Sequence, residues 1–234
     1  VHFTPDGSGI YARDNSGYSI KYSDLSTAKE VINSKEKITS LDLNQNGTML
    51  AGAGANGNLY LWDIGKNYAA TIIKMTKGLS AVKFAPDGRQ LIVGDLDGVL
   101  YVVSNGLIIR TLAGHSSQIE DIDFNHAGTF MASASKDHTV RLWNFRQLNQ
   151  QPILLSDHDW AWTVAFTPDD SQLMVGINTV RQTAKGVDQT IHAYPTDFEV
   201  MKDILCAKVT RNMTQEEWDI FVAEDLDYEK TCEN

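Results

Sequence analysis

The chain has 234 residues, 42% of them hydrophobic and 21% charged, which is enough apolar material for a sizeable core and is not a disordered composition. Thirty acidic residues against 20 basic ones give a net charge of −10, which argues against nucleic acid or an anionic membrane as the main partner, because both need a positive footprint. No apolar run approaches the ~20 residues of a membrane span, and Cys206 and Cys232 are too few for an extracellular disulfide framework.

Short strands and tight turns begin at once. The first unit opens in a strand ending at Phe3, turns at Pro5-Asp6-Gly7 and closes with an outer strand at Glu30-Val31-Ile32. The second ends its first strand at Leu43, turns at Gly47, has a hairpin at Asn56-Gly57 and an outer strand at Ala70–Ile73. The third repeats the phrase with Phe84, Pro86-Asp87-Gly88, Asp97-Gly98 and Leu107–Ile109, and the fourth with Phe124, Gly128, Asp137-His138 and Ile153–Leu155. A fifth has strands at Ala161–Phe166, Leu173–Ile177 and Thr190–Tyr194, with Asp170 in the turn and no outer strand of its own. Proline pre-sets the entry to such turns, and glycine supplies the positive φ they require.

The strand-ending residues Phe3, Leu43, Phe84, Phe124 and Phe166 are 40, 41, 40 and 42 positions apart, and the turn residues keep the same rhythm. Units of about 40 residues holding four strands each are the pattern of propeller blades, so an all-β propeller of antiparallel sheets is expected over residues 1–197. Gly114-His115, Leu142-Trp143-Asn144 and Leu61-Trp62-Asp63 carry the likeness further. In these residues the chain resembles the WD-repeat β-propeller family. The resemblance implies a structural hydrogen-bonded set of His115, Ser133, Asp137 and Trp143 in the fourth unit. The other units depart from it: Asn56 holds the aspartate place in the second, Val103 the tryptophan place in the third and Tyr194 that place in the fifth, which keeps His158 and Asp188.

Four complete blades and a partial fifth leave a sheet edge and an apolar face open, which invites aggregation. The expectation is the C-terminal part of a longer polypeptide whose missing upstream blades complete a ring, by family habit a seven-bladed one. A closed five-bladed ring would instead need Phe198-Glu199-Val200 as the last outer strand.

Beyond Pro195 the period turns helical. Thr196-x-x-Glu199 and Thr214-x-x-Glu217 read as capping boxes of two amphipathic helices in an acidic tail, residues 198–234, which holds ten acidic and four basic residues. The phrase from Cys206 through Arg211-Asn212-Met213-Thr214 to Trp218 resembles tails that follow propellers in large bacterial proteins, which implies an upstream signalling NTPase of the STAND type, a caspase-like peptidase or a kinase. Cys206 and Cys232 are expected to be packed thiols in a cytoplasmic protein rather than a disulfide.

Several motifs look chemical without the context chemistry needs. Gly52-x-Gly54-x-x-Gly57 matches a dinucleotide fingerprint, but a strand and hairpin follow where a helix N-terminus is required. Asp95-x-Asp97-Gly98 lacks the remaining ligands of a calcium loop. The histidines have no zinc spacing, and no serine or cysteine has a recognisable base-and-elbow setting. No cofactor, metal or catalytic residue is expected.

Partners of this family often sit on the face formed by the d–a and b–c loops. The upper positions of the inner strands on that face are Lys37 and Thr39, Gly78 and Ser80, Gln118 and Glu120, and Trp160 and Trp162. Two tryptophans stand where the other units have small or polar residues, beside a b–c insertion at about 178–187 with Arg181 and Lys185. Tryptophan and arginine dominate interface hot spots. A protein or peptide site at Trp160, Trp162, Arg181 and Lys185, with Lys37, Gln118 and Glu120 on the same rim, is one expectation; tryptophans buried under the insertion are the other. The function expected is a non-enzymatic interaction scaffold or sensor. A propeller hydrolase with a metal in the central channel is the alternative.

Overall fold

The computed structural model describes residues 1–24, 26–156, 159–183 and 186–197, the backbone alone over 178–183 and 186–190, and in the tail residues 200–201, 203, 206–207, 211–212, 214–215, 217 and 232. Among these, nineteen strands form four four-stranded antiparallel sheets and one three-stranded sheet, each strand paired with its neighbour in sequence. Blade 1 is β1 (His2–Phe3), β2 (Ile10–Arg13), β3 (Ser19–Ser23) and β4 (Ala28–Asn33). Blade 2 is β5 (Ile38–Leu43), β6 (Met49–Gly54), β7 (Asn58–Asp63) and β8 (Ala69–Lys74). Blade 3 is β9 (Leu79–Phe84), β10 (Gln90–Asp95), β11 (Leu100–Ser104) and β12 (Leu107–Leu112). Blade 4 is β13 (Ile119–Phe124), β14 (Phe130–Ser135), β15 (Thr139–Asn144) and β16 (Ile153–Ser156). Blade 5 is β17 (Trp160–Phe166), β18 (Gln172–Thr183) and β19 (Gly186–Pro195).

The turns obey the chemistry of their residues. Gly7, Gly47, Gly88, Gly128 and Asp170 all take left-handed backbone, with φ between +58° and +68°. Asp170 has a side chain to place there, and uses it: its carboxylate accepts from the backbone N–H groups of His126 and Ala127 and from Asn125 Nδ2. The turn of blade 5 is thereby fastened to that of blade 4. Gly52-x-Gly54-x-x-Gly57 is the end of β6 and its hairpin turn, as the sequence suggests, with Gly57 at φ +87°.

Neighbouring sheets pack face to face through small and branched residues. One core holds Ile92, Leu100 and Val102 of blade 3 against Ile119, Ile122 and Met131 of blade 4. The next holds Ala132, Ala134, Val140 and Leu142 of blade 4 against Val164, Leu173 and Val175 of blade 5. The inner strands β1, β5, β9, β13 and β17 touch in succession, and a polar ladder crosses from blade to blade at their ends. His2 lies 3.1 Å from Asp42, and Lys83 lies 3.0 Å from Asp123. Asp42 accepts from the Phe84 N–H, and Asp123 from the Phe166 N–H. Burial disfavours the Lys83 charge, but Asp42 and Asp123 on either side outweigh it and raise its pKa.

The two ends of the row stand open. Phe3, which occupies the place of the buried Phe124, is 69% exposed. Ile191, in the place of the buried Val140, is 68% exposed. Val200 is helical, so it does not supply an outer strand to blade 5, and Phe198 and Glu199 lie outside the described residues.

The tail departs from expectation in two places. Thr196 does not cap the first helix: its hydroxyl bonds the Asp170 carbonyl, and Asp197 Oδ1 accepts the Val200 N–H instead. The second box holds, with Glu217 N–H donating to Thr214 Oγ1 and Thr214 N–H donating to Glu217 Oε2. Cys206 and Cys232 are not two packed thiols but a disulfide, with Cα atoms 5.4 Å apart, well within bridging reach. Asn212 bonds both the N–H and the C=O of Cys232, which brings the chain end back beside the helices.

Candidate functional site

Every inner strand from β5 onward carries a bulge at the same place: between Ile38 and Ser40, Leu79 and Ala81, Ile119 and Asp121, and Ala161 and Thr163. The extra residues are Thr39, Ser80, Glu120 and Trp162. A bulge breaks the strict alternation of a strand and re-aims one side chain. In blades 2 and 3 the bulged hydroxyl turns back on backbone carbonyls, Thr39 onto Ala53 and Leu79, Ser80 onto Gly94 and Asp95. A carboxylate has no proton to donate to a carbonyl, and an indole is too large to fold back on its own strand as these short hydroxyls do. In blades 4 and 5 the carboxylate and the indole point instead to a shared neighbour.

That neighbour is Lys136, the first residue of the β14–β15 turn. Its Nζ lies 3.0 Å from Glu120 Oε1, donates to Gln118 Oε1 at 3.2 Å, and stands 5.6 Å and 5.9 Å from the ring centroids of Trp160 and Trp162. The structure therefore brings Gln118, Glu120, Trp160 and Trp162 together across the boundary of blades 4 and 5. Lys136 holds them, and sequence reasoning missed it. Trp160 and Trp162 are 40% and 42% exposed, so they are not covered by the insertion. The insertion itself is a continuation of the β18–β19 hairpin, with Gln182 paired to Val187 and Thr183 to Gly186, rather than a loop. The Arg181 side chain and Lys185 lie outside the described residues. Lys37 is exposed at the start of blade 2, with blades 3 and 4 between it and the tryptophans.

The hydrogen-bonded set of blade 4 is a separate, structural feature. His115 Nδ1 is 2.9 Å from Asp137 Oδ2, His115 Nε2 is 2.8 Å from Ser133 Oγ, and Trp143 Nε1 donates to the same Oγ at 2.9 Å. The carboxylate can only accept, so Nδ1 carries the proton; Ser133 accepts from the indole and has its own proton left for Nε2. Burial alone would raise the Asp137 pKa, but the His115 ring, the Thr139 hydroxyl and the Ser116 N–H hold it well below the usual carboxylate range. The chain of bonds ties the entry loop of the blade to β14 and β15. It leaves no free nucleophile.

Among the described residues no group of three or more His, Cys, Asp or Glu side chains converges as a metal site requires. No helix among them is long and apolar enough to cross a membrane. The His158 and Asp188 pair expected for the fifth blade lies outside the residues whose side chains are described.

Comparison with known proteins agrees with the architecture. The family model described as WD domain, G-beta repeat matches residues 28–63, 70–104 and 106–144, each match bridging the outer strand of one blade and the three inner strands of the next. The chain is similar to WD repeats over these stretches, just under half of its length. It is 33% identical over 88 residues to NACHT domain- and WD repeat-containing protein 1 of Mus musculus, covering 37% of this chain and 6% of that protein. It is 29% identical over 126 residues to nuclear distribution protein PAC1 of Arthroderma otae, covering 48% and 27%. A third relative, periodic tryptophan protein 2 of Arabidopsis thaliana, is 30% identical over 142 residues, covering 58% and 16%. The matches thus span under a third of each of these relatives.

Proposed function

We propose that this chain is a non-enzymatic recognition module, the regulatory propeller section of a larger signalling or effector protein. The observation that carries the reading is the half-exposed tryptophan pair, fixed on rigid strand backbone at the rim of blades 4 and 5. Large aromatic rings held in place lose little conformational entropy when a partner covers them, which makes them good anchors. The upstream blades of the same polypeptide are the second partner. They would cover Ile191 on blade 5 and Phe3 on blade 1, and seven blades in all is the ring that the family suggests. The name of the mouse relative, which joins WD repeats to a NACHT domain, supports an effector upstream. A partner preferring the free propeller would shift the balance between held and released effector. The bacterial source rests on the likeness of the tail. A cytoplasmic location rests on the scarcity of cysteine, whereas the Cys206–Cys232 disulfide pulls towards an oxidising compartment. A channel-metal hydrolase has no converging donor set among the described residues to work with.

The test is capture from the native host with wild type and with Trp160→Ala plus Trp162→Ala. A discrete set of proteins should be lost from the variant while its melting temperature stays within a degree or two of wild type. Unchanged capture, or a large loss of melting temperature, defeats the reading.

A further inference from the structure

The tryptophan pair already has a cation against it, and that cation belongs to the chain. Lys136 Nζ sits within about 6 Å of both indole centroids, the range in which an ammonium is attracted by the ring faces. Glu120 forms the floor of the site. Its side chain is only 11% exposed, and Oε1, though 3.0 Å from Nζ, is shut off from solvent and receives no well-aligned hydrogen bond. The site thus combines two planar aromatic faces, a buried carboxylate oxygen still short of a good donor, and the Gln118 amide oxygen. The present occupant fits it incompletely. A lysine tip is a compact ion on a flexible stem that loses much rotamer freedom when held. A guanidinium is flat, lies against indole faces and donates two parallel bonds to one carboxylate.

We propose that this is a recognition site for an arginine side chain in a basic peptide segment, with Lys136 as a built-in competitor that must be displaced. The proposal rests on the reading of the tryptophan pair as a partner face, and it names the partner's chemistry. The chain's net charge of −10 favours approach of such a segment. Displacement sets a threshold. A single cation in solution evicts the tethered one only at high concentration, whereas an arginine presented with flanking contacts does so at lower concentration.

The experiment uses the intact 234-residue chain and an acetylated Gly-Arg-Gly peptide, with the citrulline peptide as its uncharged isostere and the lysine peptide as the other cation. Binding is read from the indole N–H resonances of Trp160 and Trp162, assigned by substitution. The arginine peptide should move both resonances and the citrulline peptide neither. Lys136→Met should tighten arginine binding about tenfold, the order expected for removing one cation–π and ion-pair competitor. Glu120→Gln in the Lys136→Met background should abolish the gain. Lys136→Gln serves as a second vacating variant, and melting temperatures establish that each protein is folded. Equal shifts with arginine and citrulline, or no tightening in either folded Lys136 variant, overturn the proposal. If the double tryptophan variant loses its host partners while arginine does not bind, the arginine assignment falls and the partner face stands; if arginine binds and host capture is unchanged, the partner face falls.

Discussion

At the scale of single residues, the fourth blade depends on one carboxylate. Asp137 accepts from His115, Ser116 and Thr139 at once, and its pKa is held low in the folded protein. A carboxyl with a depressed folded pKa stabilises the fold above its unfolded value of about 3.9 and loses that contribution as pH falls towards its folded value. Urea midpoints should therefore drop as pH is lowered below about 4. Asp137→Asn should cost about 1–3 kcal/mol at pH 7, the range for breaking a buried, charge-assisted hydrogen-bonding group, and should show a shallower acid dependence than wild type. An equal acid dependence in the two proteins would place the acid-labile group elsewhere. The residues of this network were legible in the sequence because the family resemblance names them together. Lys136 was not, since it meets Trp160 and Trp162 only through the packing of one blade on the next. The available signal was its place at the head of a b–c turn, on the same rim as the inner-strand starts. Thr196 misled for a similar reason: a capping pattern is local, whereas the hydroxyl was claimed by the carbonyl of Asp170 in another turn.

At the scale of elements, blades tolerate little added volume where they meet. A Cβ at Gly94 would lie 2.6 Å from the Cβ of Ile119, a fully buried residue of the following blade. Gly94→Ala should cost about 1–3 kcal/mol, as overpacking generally does, and Ile119→Ala should offset part of it, so that the double variant is more stable than the sum of the two changes implies. Thermal melts of the four proteins of this cycle decide it; strict additivity would mean that the blades do not press on each other there. Strand positions were readable from period two and turn chemistry, both of which are local. The bulges left a trace that strict alternation passes over: the buried residues that flank each one, such as Ile119 and Ile122, stand three apart instead of two, and with period two assumed Glu120 and Trp162 look like ordinary strand residues. The long β18–β19 hairpin was also hidden, because its polar residues resemble a loop.

At the scale of the whole molecule, the open face of blade 5 is the part least at ease in water. Ile191 and its neighbours repeat the apolar pattern that blade 4 buries against blade 5. Ile191→Lys should leave the melting temperature almost unchanged in the isolated chain and raise the concentration at which it stays monomeric, measured by light scattering after size-exclusion chromatography. If the wild-type chain is already monomeric at high concentration and the variant behaves alike, that face is not a sticky edge. The number of blades present followed directly from the forty-residue rhythm. How the ends of the row are covered did not, because that depends on surfaces beyond any single repeat.

The bulge recurring at Thr39, Ser80, Glu120 and Trp162 separates framework from specificity. In these four units the ladder around it is fixed by backbone pairing, while the inserted side chain varies from hydroxyl to carboxylate to indole. A lineage can therefore rewrite the chemistry this rim displays one letter per repeat, without renegotiating the scaffold beneath it.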